Sequence, residues 1–256
     1  MGWDPDQYLQ YADQRLRPAL DLLARVPLRE AHTIFDLGCG PGTISPYIRS
    51  AFAGADIEGV DSSPKMLEAA QQHNEPDITW VQADIASWQP QISADLIYSN
   101  AALQWLDDHE HLFARLMGFV TPGGVLAVQM PNQFDQPSHV LMREVAGTGP
   151  WASFLKPHLR AAPVAKPASY FAWLSSMCSN VDIWQTQYSH VLTGPDPVLN
   201  WMSSTALNPL YEALSDDLRP DFQAALAEKL RAAYPQTEHG TTLFGFTRLF
   251  VVATKA

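Results

Sequence analysis

Three closely spaced glycines, placed directly after a short and mostly apolar run, constrain this chain more than any other feature. The run at 33–35 leads into D-L-G-C-G-P-G at 36–42, where a buried parallel strand must turn sharply into a helix. A ligand can contact bare backbone at such a turn. A second apolar run ends at Asp61, whose carboxylate can accept hydrogen bonds from two ribose hydroxyls. The two segments predict a nucleoside-binding α/β fold.

The spacing of the glycines narrows the class of nucleoside. A dinucleotide turn reads G-x-G-x-x-G and points a helix N-terminus at a pyrophosphate, whereas this turn reads G-x-G-x-G after an acidic residue. Asp36 would repel a pyrophosphate and suits a ligand that carries an ammonium group. A nicotinamide dehydrogenase is therefore disfavoured, and a glycine-rich turn without any ligand is the remaining alternative.

Composition restricts the partners and the compartment. The chain has 256 residues, 16 Lys+Arg against 27 Asp+Glu, and a net charge of −11, which opposes the phosphate neutralisation that nucleic-acid binding requires. No apolar run is long enough to cross a bilayer, and no basic-then-apolar leader is visible. The two cysteines, Cys39 and Cys178, are too few for a disulfide framework. We expect a cytoplasmic enzyme without a nucleic-acid or membrane partner.

Alternating strand and helix signals predict a doubly wound α/β sheet of seven strands with helices on both faces. The predicted helices are 17–25, 43–52, one capped by Ser63 with Pro64 at its first position, and 109–120. The predicted strands are 33–35, 57–60, 78–82, 94–99, 125–130, 181–188 and 242–253. We expect one domain, 1–256, with a helical lid region at 1–30.

Two insertions interrupt this pattern. Residues 131–180 hold a predicted helix near 138–146 and a looser Gly/Pro-rich stretch at 147–167, which we expect to be mobile. Residues 197–235 carry helical spacing between the last two strands, where a plain hairpin would suffice. We interpret the second insertion as a helical cap.

Polar residues follow the later strands of the predicted sheet. Asp84 and Ile85 come after the third strand, where an acidic and an aliphatic side chain can pair with an exocyclic amine and pack against a purine; the alternative is a helix-capping aspartate. Asn100 and Trp105 follow the fourth strand, at the edge of the sheet where ligands bind. The segment D-D-H-E-H at 107–111 could suggest a metal, but His109 and His111 would point to different faces of a helix. We expect no metal site.

The segment 36–42 with D-S-S-P at 61–64 resembles motif I and the following acidic loop of class I S-adenosylmethionine-dependent methyltransferases. Segments along nearly the whole chain resemble the trans-aconitate 2-methyltransferase family. These segments are 3–5 with Tyr8 and Tyr11, then 15–19, 99–106, 129–132, 139–145, 181–184 and 248–250. The stretch 147–167 shows no such resemblance.

The resemblance implies transfer of a methyl group from S-adenosylmethionine to one carboxylate of trans-aconitate, giving a monomethyl ester and S-adenosylhomocysteine. It implies that Asp36 lies near the methionyl amine and that Asp61 holds the ribose. The residues predicted to bind the cofactor are Asp36, Gly38, Gly40, Gly42, Asp61, Ser62, Met66, Asp84, Ile85 and Asn100. One alternative is a methyltransferase that acts on another small carboxylate or on a malonyl-type acyl carrier. The other is a non-catalytic regulator that binds S-adenosylmethionine.

A carboxylate substrate changes what the protein must supply. It is already a nucleophile at pH 7, so attack on a sulfonium methyl needs alignment and exclusion of water but no general base. A tricarboxylate does need donors, and arginine binds carboxylates bidentately. Arg15 and Arg248 are further candidates beside the favoured set. The residues predicted to bind the substrate are Tyr8, Arg17, Trp105, His139 and Arg143.

Overall fold

A computed structural model describes residues 12–72 and 77–256, and these residues form seven strands and ten α-helices. The strands are β1 Thr33–Leu37, β2 Asp56–Asp61, β3 Ile78–Gln82, β4 Ala94–Asn100, β5 Val120–Pro131, β6 Cys178–Thr193 and β7 Thr241–Lys255. The helices are α1 Ala12–Leu23, α2 Ser45–Ala51, α3 Pro64–Gln71, α4 His109–Gly118, α5 Pro137–Ala146, α6 Ala152–Leu155, α7 Pro167–Leu174, α8 Pro197–Ser203, α9 Asn208–Ala213 and α10 Arg219–Ala233. No helix among these residues is long and apolar enough to cross a membrane.

The seven strands form one sheet in the order β3-β2-β1-β4-β5-β7-β6. Neighbouring strands from β3 to β5 are parallel, and β7 is antiparallel to β5. The order reverses direction after β1, and in an open α/β sheet such a point opens a crevice at the carboxyl ends of the strands. The seven-stranded α/β fold predicted from the sequence is confirmed.

One face of the sheet carries the main apolar core. Alternate residues of β1, β4, β5 and β7 point to this face, as the period of a strand requires, and they pack against α4 and α7. Its fully buried members include Leu37, Ile97, Val128, Val251, Phe113, Leu116, Tyr170 and Leu174. Each fully buried Leu, Val or Phe stabilises the fold by about 1.5–3 kcal/mol.

The opposite face of the sheet, which we call the α1 face, is covered by α1 and is partly polar. Tyr98 in β4 is fully buried, and its hydroxyl donates a 2.7 Å hydrogen bond to the carbonyl of Ala19 in α1. Ala19 and Leu22 are themselves buried. The apolar side of α1 and one phenol therefore attach the helix to the sheet.

Several predicted boundaries of helices and strands were wrong. The first helix begins at residue 12 rather than 17 and contains Pro18; proline removes one helical hydrogen bond, which the packing of Ala19 and Leu22 offsets. The helix predicted to reach 120 ends at Gly118, and β5 begins already at Val120. The pairing of β4 with β5 is irregular there, and Gly123 has φ of 79°, as expected for a bulge.

The stretch 147–167 is more regular than its composition suggests. It holds the short helix α6 and a 3₁₀ turn at Lys156–His158, and α7, which no sequence pattern predicted, begins at Pro167. Trp151 explains the order: its side chain is buried, and its indole nitrogen donates a 2.7 Å hydrogen bond to the carbonyl of Val145. The stretch was predicted to be loose because of its glycines and prolines. The sequence pattern does not show the burial and hydrogen bond of Trp151.

By contacts between residues, the chain divides into two compact units. The first unit holds the described residues among 2–131 together with 163–186 and 248–256, and the second holds 132–162 and 187–247. In the second unit α5 and α10 pack together, and the Tyr234 hydroxyl accepts a 3.0 Å hydrogen bond from the amide of Ser138. The insertion at 131–180 is thus divided between the units. A single domain stays a prediction.

We expect Tyr98→Phe to lower the free energy of unfolding by about 0.5–1.5 kcal/mol, since it removes one buried hydrogen bond between β4 and α1 and leaves the ring in place. Urea unfolding at pH 7 measures the change. Tyr47→Phe, at an exposed tyrosine of α2, is the control and should change stability by less than about 0.5 kcal/mol. Equal values for the two variants would contradict the role given to this hydrogen bond.

Candidate functional site

The glycine turn after β1 is held by the end of β2. The amides of Gly38 and Cys39 donate hydrogen bonds of 2.7 Å and 3.1 Å to the carbonyl of Val60. The amide of Gly40 donates a 2.9 Å hydrogen bond to Oδ2 of Asp61. Because these donors belong to the backbone, the path of the turn depends on the sheet rather than on loop side chains.

The three glycines of the turn are needed for different reasons. Gly38, Gly40 and Gly42 have φ of 74°, 55° and 75°, a region that L side chains rarely adopt. A Cβ on Gly38 would lie 2.1 Å from Cβ of Ala102, and one on Gly42 would lie 2.8 Å from the ring of Trp80. A Cβ on Gly40 would meet nothing within 4 Å. Packing requires two of the glycines, and the third faces open space that a ligand could fill.

Asp61 is half-buried and has both oxygens in use. Oδ2 accepts the amide of Gly40, and Oδ1 accepts the amide of Ser63 at 2.9 Å. Burial raises the pKa of Asp61, and hydrogen bonds from the backbone amides of Ser63, Gly40 and Ser62 oppose that rise. A carboxylate has about four lone-pair sites, so two vicinal hydroxyls can still donate to it.

Asp36 is a buried carboxyl group at the end of β1 with one oxygen unpaired among the described residues. Its side chain is 1% exposed, and Oδ2 has no hydrogen-bond partner among the described residues. Burial, followed by the negative charge of Asp61, raises the pKa of Asp36 to about 7. Burying such a group is costly unless a counter-charge is bound. A ligand cation at this position would supply that charge.

The other predicted cofactor residues differ in exposure and in local hydrogen bonding. Ser63 caps α3 as predicted, with Oγ accepting the amide of Met66, and the side chain of Met66 is buried. Ser62 is exposed. Asp84 is exposed, and its Oδ1 accepts the amide of Ala86 at 2.9 Å, so it does cap a local turn. Ile85 beside it is buried.

The segment after β4 is strained and firmly held. Ala101 has φ of 54° although it is not glycine, and such backbone strain persists where the surroundings fix it. Oδ1 of Asn100 is buried without a hydrogen-bond partner among the described residues. Trp105 is half-buried in a 3₁₀ turn at Leu103–Trp105.

The side chain of His109 contacts that 3₁₀ turn. It is buried, with Nε2 2.9 Å from the carbonyl of Leu103 and Nδ1 2.6 Å from the hydroxyl of Tyr170. His111 is exposed and lies 2.8 Å from Asp108. The two histidines therefore have separate environments, and the described residues contain no cluster that could hold a metal ion.

The predicted substrate residues fall in different parts of the chain. Tyr8 lies outside the described residues. Arg17 is exposed on α1, whereas Arg15 on the same helix is buried. His139 and Arg143 belong to the second unit, on α5, where the guanidinium carbon of Arg143 lies 3.6 Å from the ring centroid of Phe134.

His139 and Arg143 differ in charge at neutral pH. Burial and then the positive charge of Arg143 lower the pKa of His139 to about 4, so its imidazole is neutral. Burial also lowers the pKa of Arg143, and Asp135 opposes this change. Nη1 of Arg143 is buried without a hydrogen-bond partner among the described residues. Only Arg143 of this pair can offer a charge to a carboxylate.

Sequence reasoning left Gln129 out of the site. Gln129 is fully buried near the carboxyl end of β5, and its Oε1 accepts a 3.2 Å hydrogen bond from Nη1 of Arg248, which is also buried. The available signal was a glutamine and an arginine inside otherwise apolar strands, at V-Q-M and T-R-L-F. Buried polar residues of this kind are rare and need partners.

Residues 34–124 match the model of a methyltransferase domain family. The fold also resembles that of a Haemonchus contortus phosphoethanolamine N-methyltransferase 2 solved with S-adenosyl-L-methionine, with a TM-score of 0.56 at 16% identity over 93% of this chain and 52% of that one. That likeness concerns the fold alone.

Similarity to two relatives named trans-aconitate 2-methyltransferase extends over the whole chain. The relative from Azoarcus sp. (strain BH72) is 44% identical over 253 residues, which cover 99% of each chain. The relative from Rhizobium etli is 41% identical over 256 residues and 100% of each chain. The resemblance noted in the sequence is confirmed: the chain belongs to the trans-aconitate 2-methyltransferase family of S-adenosylmethionine-dependent methyltransferases.

Proposed function

We propose that the protein transfers a methyl group from S-adenosylmethionine to one carboxylate of trans-aconitate or a closely related polycarboxylate. The products are a monomethyl ester and S-adenosylhomocysteine. The observation that carries the proposal is the buried Asp36 carboxyl, with one oxygen unpaired among the described residues, beside a glycine turn with open space at Gly40, in a chain 41–44% identical to trans-aconitate 2-methyltransferases along its length. We place this activity in the cytoplasm, on a small molecule rather than a nucleic acid.

The residues at the turn suit this cofactor. Asp36 would accept the methionyl ammonium, Asp61 the two ribose hydroxyls, and Gly40 would let the ligand approach the backbone. When bound, the cofactor supplies an electrophilic methyl group on a sulfonium. The remaining residues assigned to it are Gly38, Gly42, Ser62, Met66, Asp84, Ile85 and Asn100.

In this reaction the protein has to position the substrate carboxylate against the methyl group. A substrate carboxylate is ionised at pH 7, so a new C–O bond can form as the C–S bond breaks without removal of any proton. Arginine side chains would hold the carboxylates that do not react, and Trp105 would exclude water beside them. Tyr8, Arg17, His139 and Arg143 remain the other proposed substrate residues.

A mass-spectrometric screen tests the function. The protein is incubated with S-adenosylmethionine and each of trans-aconitate, cis-aconitate, isocitrate and a malonyl-acyl carrier protein, and products 14 Da heavier are scored. We expect the monomethyl ester of trans-aconitate. Methylation of the carrier protein alone would indicate the acyl-carrier alternative, and cofactor binding without any product would indicate a regulator.

We expect Asp61→Ala to weaken S-adenosylhomocysteine binding by about one to two decades, because a hydrogen-bonded carboxylate contributes about 1–3 kcal/mol. Calorimetry at pH 8 measures the affinity. Asp56→Ala, at an exposed carboxylate of the same strand, is the control and should bind normally. Unchanged affinity in Asp61→Ala would remove this residue from the site.

The affinity for S-adenosylhomocysteine should fall as the pH is lowered from 8 to 6. Asp36, with its pKa at about 7 in the free protein, takes up a proton over this range, and only its ionised form attracts the ligand ammonium. Below pH 7 the loss approaches about tenfold per pH unit. The matched control is Asp36→Asn, in which only the ligand's own groups titrate. The same pH dependence in both proteins would contradict the role of Asp36.

Arg143→Lys should lower kcat/KM for trans-aconitate by at least about tenfold, because lysine offers a point charge instead of a bidentate fork and cannot stack on Phe134 in the same way. Steady-state kinetics measure it, with Arg160→Lys, at an exposed arginine of the same unit, as the control. Kinetics equal to those of the control would place the carboxylate-binding arginine elsewhere.

A further inference from the structure

Polar side chains follow one another across the α1 face of the sheet. Asp36 pairs in register with Tyr98, Asn100 with Gln129, and Gln129 with Phe250. Because side chains two residues apart on a strand share a face, Asp36, Asn100, Gln129 and Arg248 all point to the α1 face. The 3.2 Å hydrogen bond between Arg248 and Gln129 agrees with this assignment.

The charge on this face changes sign from one strand to another. Asp36 on β1 is acidic, Asn100 and Gln129 on the next two strands are neutral, and Arg248 on β7 is cationic. Adjacent strands lie about 4.8 Å apart, so β1 and β7 are separated by roughly 14 Å. A ligand cation at β1 and a ligand anion at β5 and β7 could therefore bind side by side.

On β5 and β7 the polar side chains of this face are buried, and one amide donor is unpaired among the described residues. Arg248 is 3% exposed and Gln129 is fully buried, while Nε2 of Gln129 has no hydrogen-bond partner among the described residues. An amide N–H₂ beside a guanidinium presents donors alone, which is the arrangement that binds a carboxylate. Burying such donors is costly unless an acceptor is bound.

Helix α1 adds a second cation above the same face. The hydroxyl of Tyr98 bonds to Ala19, which fixes the side of α1 that meets the sheet. Arg15 lies four residues earlier, on the same side of the helix, and is 8% exposed. Arg17 is exposed, so Arg15 is the better placed of the two.

We propose that Gln129 and Arg248, together with Arg15, bind a non-reacting carboxylate of the substrate and so select polycarboxylates. This inference rests on the proposed function, which gives the substrate class. It adds Arg15 and Arg248, which the sequence offered only as further candidates, and Gln129, which lies in the resembling segment 129–132 but was not assigned to the site.

Calorimetric titration of trans-aconitate into the S-adenosylhomocysteine-bound protein tests the proposal without turnover. The variants are Arg248→Lys and Gln129→Glu; the second keeps the shape of the side chain and places a carboxylate against Arg248. We expect each to weaken trans-aconitate binding by at least about tenfold. Affinity for S-adenosylhomocysteine should stay within about threefold, which shows that the variants are folded. Arg29→Lys, at an exposed arginine, is the control.

The possible outcomes separate the two proposals. Wild-type affinity for trans-aconitate in both variants overturns the assignment of Gln129 and Arg248, even when the wild-type protein forms the ester. Binding to the wild-type protein without ester formation, lost in both variants, supports the carboxylate site and contradicts the proposed reaction. A wild-type protein that neither binds nor methylates trans-aconitate overturns both.

Discussion

The alternation of side chains along four neighbouring strands is the constraint on which the site depends. In β1, β4, β5 and β7 one set of residues forms the apolar core against α4 and α7, and the other set faces α1. A shift of register by one residue would exchange the two sets. By fixing the register of the strands, the apolar core on one face determines that Asp36, Asn100, Gln129 and Arg248 point to the other. These four polar residues are not part of the apolar core.

This arrangement carries a cost in stability. Among the described residues, an unpaired carboxyl oxygen of Asp36, an unpaired amide donor of Gln129 and a left-handed Ala101 each destabilise the fold by on the order of 1–3 kcal/mol. They occur together near the carboxyl ends of the strands, where ligands of such sheets bind. Bound groups of opposite charge would relieve the first two. Unpaired buried groups and a strained backbone that occur together at one place are typical of a functional site.

The sequence alone predicted the doubly wound seven-stranded sheet, the glycine turn and the Ser63 cap. These depend on local patterns: glycine spacing, proline position and apolar runs. It did not predict α7, the early start of α1 or the place of Gln129. Those depend on contacts over long separations, such as Tyr98 with Ala19 and Arg248 with Gln129, which a periodic pattern does not contain. Arg17 was also preferred to Arg15 from the sequence, although only packing against the sheet distinguishes two arginines on one helix.

A net charge of −11 repels a tricarboxylate substrate at long range, but the distances over which charges act in water limit this effect. Surface charges more than about 8–10 Å away are largely screened at physiological ionic strength, whereas a charge pair inside the protein is screened much less. Local arginines at buried positions can therefore dominate the binding of an anion. The net negative charge then acts on large polyanions at long range, while the proposed carboxylate site would still bind a small one.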